Sequence, residues 1–311
     1  MKRKIFALFL AAVMVLTMLP LTVSAAFTDT AGHWAEGAID RWSGLGVLNG
    51  YSDGTFKPEN PIKRGEFFKI IDSVMGYKAI AENRFADLKE SDWYYEIVLR
   101  LAAAGVVTGD AGTGTVRGEA NIKREEAFAV LARVFNVEPD ANGVYRFLDA
   151  DKVSAWARAE VGGMAAAGYV QGFNGYLNPQ DPIKRAEVVT VIDNLISLYM
   201  GKTGTYSGQG GIAIASADGA VLKDAEFEDL YVTQGVESGA FTLVNSKITG
   251  TLYVSGGGVN SIRIISSDVA RVVVSVDPAT GDVRIAADDN SGVAVIYVED
   301  GSDDVILDGG F

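Results

Sequence analysis

Apolar positions along the 311-residue chain follow two periods, one replacing the other near residue 200. From residue 27 to about 200 they recur at three-to-four spacing in short blocks, the pattern of amphipathic helices. Phe67, Ile70, Ile71 and Val74 make one stripe; Phe128, Leu131, Val134 and Phe135 repeat it, as do Val188, Val191, Ile192 and Leu195. An earlier helix in each block starts near a tryptophan, and in the first block Trp34, Ala38, Arg41, Trp42 and Leu45 share a face. Four landmarks recur in fixed order. An aromatic-x-Asp opener (Phe27-Thr28-Asp29, Phe85-Ala86-Asp87, Phe147-Leu148-Asp149) precedes Trp34, Trp93 and Trp156. A glycine that closes a helical stretch follows, as Gly50, Gly109 and Gly172, and then Ile-Lys-Arg-x-Glu at 62–66, 122–126 and 183–187. The lysines stand 60 and 61 residues apart. The pattern predicts three helix–loop–helix repeats over 26–82, 83–144 and 145–200. Asp29, Asp87 and Asp149 are placed to cap the first helix or to carry charge at its N-terminus. The first helix ends around Gly44-Leu45-Gly46, where glycine supplies a left-handed C-cap.

A glycine- and hydroxyl-rich run at 201–211 reads as a flexible linker. Beyond it Val, Ile, Thr and Gly dominate in short strand-like runs such as Leu230-Tyr231-Val232 and Thr251-Leu252-Tyr253-Val254. Leu222, Leu243, Ile264 and Ile285 are each 21 apart, with Leu307 following after 22. Phe227, Ile248 and Val269 form a second column, and Leu230, Leu252 and Val273 a third. Columns at a fixed period of 21–22 predict an all-β parallel solenoid of about five rungs over 212–311. A sandwich of hairpins would show more two-residue Gly turns and no column repeat. The chain stops soon after Val305-Ile306-Leu307 begins a rung, with no capping element. That end is expected to be either incomplete or buried by a second copy, so self-association through the solenoid end is one expected partnership.

Composition narrows the chemistry. There is no Cys, which removes disulfides, thiolate metal sites and Cys nucleophiles, and there is a single imidazole, His33. A net charge of −13 argues against nucleic acid as a partner. Residues 1–25 read as a signal peptide: basic Lys2-Arg3-Lys4, an apolar run over 5–19, the breaker Pro20, and the small residues Val23-Ser24-Ala25. Cleavage removes three positive charges, takes the chain to −16, and leaves an exported protein with no membrane segment. Residues 201–311 hold 16 acidic and six basic residues. Their carboxylates are too many for spacing to single out an acid–base pair. Asp288-Asp289-Asn290 and the acids of 300–304 fit no calcium-loop pattern and read as solvated turns. No catalytic residue, metal or cofactor is expected.

The string Phe27-x-Asp29, His33-Trp34-Ala35, Gly50-Tyr51-x-Asp53-Gly54-x-Phe56-x-Pro58, Ile62-x-Arg64-x-Glu66 resembles the S-layer homology domain. Three copies cover about 27–200; the second departs, lacking the loop Pro and carrying Val116 in place of the aromatic. The resemblance implies an all-α pseudo-trimer, with the second helices on a central axis and grooves between neighbouring prongs. It also implies non-covalent anchoring, at the cell wall or S-layer, to an anionic and often pyruvylated secondary cell-wall polysaccharide or a peptidoglycan-linked anionic glycan. The chemistry is consistent: Lys-Arg-x-Glu falls on a helix's first turn, where unpaired amides and the dipole favour an anion. Arginine adds a bidentate clamp for a carboxylate, and a Trp face suits a sugar. Arg64, Arg124 and Arg185 beside Trp34, Trp93 and Trp156 are the candidate site, with Gly50, Gly109 and Gly172. The tryptophans are equally well read as core. His33 matches a common family position and reads as structural or as a minor ligand contact. The family usually has Thr before this Arg, forming a capping box. Lys63, Lys123 and Lys184 replace it, which costs a cap worth about 1 kcal/mol and points either to a compensating anion or to drift copied among duplicated repeats. The expected whole is a wall-anchored surface protein displaying an acidic solenoid as spacer or interaction module. The alternative is a wall-anchored carbohydrate-active enzyme using the β-helix region.

Overall fold

The computed structural model describes residues 27–259, 261–276, 282–299 and 305–309; the expected signal peptide and the acids of 300–304 lie outside them. Among the described residues six α-helices come first: α1 Glu36–Gly44, α2 Arg64–Met75, α3 Tyr95–Ala103, α4 Arg124–Val134, α5 Arg158–Ala166 and α6 Arg185–Leu195. The stripes of α2, α4 and α6 are buried as their spacing requires. The buried face of α1 is Ala35, Ile39 and Trp42, one position off the expected face, because the helix starts at Glu36 and leaves Trp34 outside it. The helix-ending glycines are Gly46, Gly105 and Gly168, with φ of 77°, 72° and 81°. There the amides of Val47, Val106 and Tyr169 turn back to the carbonyls of Trp42, Leu101 and Met164. Gly50, Gly109 and Gly172 therefore do not end helices; they lie further along the loop.

The opener aspartates also differ from their expected role. Asp29 accepts the amides of Phe56 and Lys57, both at 2.8 Å. Asp87 accepts those of Val116 and Arg117, and Asp149 those of Leu177 and Asn178. Each carboxylate thus clamps the far end of its own loop instead of capping a helix. The clamp holds Lys57, Arg117 and Asn178 left-handed (φ 56°, 50° and 52°), a conformation that costs about 1 kcal/mol for a residue with a side chain. Burial works against the ionised form of Asp29, but the loop amides outweigh it and hold the carboxyl below its usual pKa.

The long helices start around one axis. The Ile62 amide donates to the Ile183 carbonyl (3.0 Å), that of Ile122 to Ile62 (3.1 Å), and that of Ile183 to Ile122 (3.0 Å). All three side chains are fully buried. This closed ring of backbone hydrogen bonds makes the three repeats one pseudo-threefold unit.

Among the described residues thirteen strands follow: β1 Ile196–Met200, β2 Gly204–Tyr206, β3 Gln209–Ala215, β4 Ala220–Lys223, β5 Glu226–Val232, β6 Phe241–Val244, β7 Lys247–Val254, β8 Arg263–Ile265, β9 Asp268–Val274, β10 Val283–Ala287, β11 Gly292–Val293, β12 Ile296–Val298 and β13 Val305–Gly309. They wind alternately through two parallel sheets, β1-β3-β5-β7-β9-β11 (with β12 also on β9) and β13-β10-β8-β6-β4-β2. Residues 201–211 are not a linker: α6 runs straight into β1, and β2 and β3 take up the glycine run. Parallel neighbours β4 and β5 give that backbone its hydrogen-bond partners, which composition alone cannot reveal.

Two columns shift from the sequence alignment. Leu252 pairs with Val272, because β7 holds one extra residue between Ile248 and Leu252. The bulge falls at Gly250, where a Cβ would crowd the Asp229 carboxylate and the Glu228 carbonyl. The displaced Thr251 amide donates to Asp229 instead, at 2.7 Å. Ile264 pairs with Ala287, not Ile285; a shift of two keeps Ile285 inside.

The halves share a core. Ile196, Tyr199, Ile212, Ile214 and Tyr231 from the solenoid's first coils join the helical cluster. Arg41 straps the junction, pairing with Asp193 (2.7 Å) and donating to the carbonyls of Ile196 and Ser197. The Gln234 side chain accepts the Lys78 amide at 2.6 Å.

Candidate functional site

The first turns expected to hold an anion are already occupied. The amides of Arg64 and Gly65 donate to the carbonyls of Ala120 and Gly118. Those of Arg124 and Glu125 go to Asp181 and Pro179, and those of Arg185 and Ala186 to Asn60 and Pro58. Each second helix thus docks its N-terminus on the next repeat's loop. The arginines do likewise: Arg64 Nε donates to Val116 (2.7 Å), Arg124 Nε to Leu177 (2.6 Å) and Arg185 Nε to Phe56 (2.8 Å). Their Nη1 atoms face Glu126, Glu187 and Glu66 at 3.2, 2.5 and 3.6 Å. Arg64 and Arg185 are buried. Burial draws the Arg64 pKa down against the pull of Glu126. A guanidinium so committed is an internal tie before it is a ligand clamp.

The tryptophans are outside. Trp34, Trp93 and Trp156 are 61%, 53% and 54% exposed, so none of them is core. Two clefts lie at junctions between repeats. The larger, about 390 Å³, is walled by Arg64 from the first repeat, Gly109, Asp110, Glu126 and Arg133 from the second, and Trp156 from the third. The smaller, about 150 Å³, has Arg185 from the third repeat, Gly50, Tyr51, Glu66 and Lys69 from the first, and Trp93 from the second. Each cleft therefore draws its arginine, its loop and its tryptophan from three different repeats. The sequence pairing of each arginine with its own repeat's tryptophan is corrected: Arg64 shares a cleft with Trp156, and Arg185 with Trp93. The loop glycines are there for close packing. A Cβ on Gly50 would strike the Phe27 ring and the Thr55 carbonyl, and one on Gly172 would lie 2.5 Å from the Tyr176 carbonyl. The glutamates were legible as half of the Ile-Lys-Arg-x-Glu motif, but their pairing with the preceding repeat's arginine was not.

The tripled lysine has a protein partner. Lys63 Nζ meets Glu119 and Lys184 Nζ meets Glu59, both at 2.5 Å, while Lys123 Nζ reaches Gln180 at 2.8 Å. These partners sit in the neighbouring repeat's loop, so the expected bound anion is replaced by a carboxylate or amide of the chain itself. An ammonium has no lone pair for the third amide, so only the carboxylate half of a capping box is made, as in Glu66 accepting the Lys63 amide at 3.1 Å. Lys184, then His33, hold the Glu59 carboxyl down to about 2. A carboxyl lowered this way contributes stability above its ordinary pKa and loses it as pH falls toward about 2. His33 Nδ1 accepts the Ala35 amide, so Nε2 carries the proton given to Glu59 at 2.8 Å. Changing each lysine singly to Thr should return a cap worth about 1 kcal/mol and remove an exposed pair worth less than that. Denaturant titration should therefore show a small net gain, with salt sensitivity lost for Lys63→Thr and Lys184→Thr but unchanged for Lys123→Thr. A loss above about 1 kcal/mol in any of them would contradict this account.

Among the described residues no cluster of three His, Asp or Glu side chains offers a metal site, and no helix is long and apolar enough to cross a membrane. The S-layer homology domain profile matches residues 26–68, 84–128 and 146–189, each match running from an opener into a second helix. The chain carries three S-layer homology domains in tandem. Relatives match part of the chain. The surface-layer 125 kDa protein of Lysinibacillus sphaericus is 29% identical over 62% of this chain and 17% of its own length. Exoglucanase XynX of Acetivibrio thermocellus is 27% identical over 57% of this chain and 17% of its length. The cellulosome-anchoring protein of the same organism is 30% identical over 42% of this chain and 30% of its length. The chain thus spans less than a third of each of these relatives.

Proposed function

We propose that the three S-layer homology domains hold an exported surface protein to the cell wall non-covalently, by binding an anionic, pyruvylated secondary polysaccharide in the clefts between repeats. One observation carries this: three exposed tryptophans, at equivalent positions, in a fold whose other large aromatics are mostly buried. A solvent-facing indole offers a flat apolar face and an N–H, and a sugar's apolar face and hydroxyls fit both. Relatives named as surface-layer and anchoring proteins support the reading. The solenoid is the displayed part, a non-catalytic spacer or interaction module joined rigidly to the anchor.

The test is co-sedimentation of the purified protein with protein-stripped walls of the producing cell, before and after acid extraction of the secondary polymer. Binding is expected only before extraction. A variant with Trp34, Trp93 and Trp156 all changed to Ala should fold normally and lose at least about tenfold in affinity, from about 1–3 kcal/mol lost per stacked ring, read by analogy with base–aromatic stacking. Undiminished binding by that variant would remove the clefts as the site.

A further inference from the structure

The clefts are unequal, and the inequality starts at the residue after the loop glycine: Tyr51, Asp110 or Phe173. In the first repeat the Tyr51 hydroxyl donates to Glu66 at 2.9 Å. The Arg185 guanidinium lies 4.8 Å from the centre of its ring, and Lys57 Nζ lies 4.2 Å from it. Tied by three groups, the ring fills the space above the arginine and leaves the cleft of about 150 Å³. In the second repeat Asp110 has no ring to insert, and its carboxylate is held by Arg117. The cleft beside Trp156 is accordingly about 390 Å³, with the buried Phe68, Val107 and Val130 in its lining.

A second difference lies on the helices. Arg133 of α4 lines the larger cleft, and the corresponding positions of α2 and α6 are Ser73 and Asn194. Its Nε is 3.7 Å from Glu160, a loose contact, and its side chain is 38% exposed. Arg64, by contrast, is buried and bonded to Val116 and Glu126. Arg133 is therefore the guanidinium in this cleft with room to take an acid from outside. A saccharide lying on Trp156 has Asp110 and Glu126 as acceptors for its hydroxyls and Arg133 for a carboxylate.

We infer that the cleft between Arg133 and Trp156 is the principal saccharide cleft, that Arg133 is its contact for the acidic group, and that Tyr51 closes the equivalent cleft at Trp93. This rests on the anchoring reading above and assigns the weight of binding to the second repeat, the one whose loop departs most from the family pattern.

The experiment uses the full chain and protein-stripped walls of the producing cell at two salt concentrations. Arg133→Gln should weaken binding about tenfold, the value of one charge-assisted hydrogen bond, and flatten its salt dependence, with the melting temperature little changed. Asp110→Tyr, which transplants the plug, should weaken binding comparably, whereas Tyr51→Ala should leave it equal or tighter. Arg133→Lys keeps the charge and should recover part of the loss. If wild-type protein does not sediment with walls, the anchoring reading fails and this inference with it. If wild type binds while Arg133→Gln binds equally with an unchanged salt response, anchoring stands and the assignment of the cleft is wrong.

Discussion

Arg64→Ala should destabilise the protein by about 3 kcal/mol or more, and its failure to bind walls should follow from unfolding. The substitution strips a hydrogen bond from the Val116 carbonyl and leaves Glu126 with Arg117 and the Lys123 amide inside the junction. It also takes the side chain from beside the Phe68 ring. Arg185→Ala should behave alike, since it frees the carbonyls of Phe56 and Asn49 in the first repeat's loop. Arg124 is a little more open, and its replacement should cost less. Chemical denaturation of the three variants checks the order. Three stable, fully folded alanine variants would show that these side chains are ligand clamps and not ties. For the same reason, loss of binding in such variants says nothing about sugar contact unless folding is measured alongside.

A chain ending at residue 200 should be markedly less stable than the full one. Cutting there takes Ile212, Ile214 and Tyr231 off the helical core and uncovers Tyr199 and Phe135. Two large side chains' worth of lost burial is on the order of 4 kcal/mol. It also removes β3, whose backbone pairs with β1 along Ile196–Met200. Calorimetry of the full chain should show the helical repeats and the first coils melting in one transition, and the shortened chain melting at least several degrees lower. Two independent transitions in the full chain, with the lower or upper one matched by the shortened protein, would mean that the shared core is only a contact.

Much of this architecture could be read from residues alone. Ile-Lys-Arg-x-Glu marks the start of each long helix because the glutamate three positions after the cap can return to the cap amide, which is local chemistry. The solenoid columns were visible because parallel coils stack like residues at one period. What stayed hidden is long-range. Aligning three copies shows that Arg64 and Trp34 are each repeated, but not that Arg64 faces Trp156, because nothing within a copy says which neighbour it packs on. Lys184 looked unfavourable at a helix start because its partner, Glu59, lies at the opposite end of the repeat array. The glycines of 201–211 looked flexible because their hydrogen-bond partners arrive from the next coil. At Gly250, one extra residue hid inside a spacing that averages 21, and the strand pairings, Thr251 with Arg271 among them, expose the bulge.

The passage from α6 to β1 contains no slack, and Arg41 grips both sides of it through Asp193 and the carbonyls of Ile196 and Ser197. Tension applied to the solenoid therefore cannot be absorbed by a stretching tether. It enters the helical ring at α6 and, through Arg41, at α1 of the first repeat, the last and the first of these six helices. A pull on the solenoid is shared at once by the first and third repeats through the continuous chain and Arg41, while the second receives it through the packing of Phe135 on Tyr231.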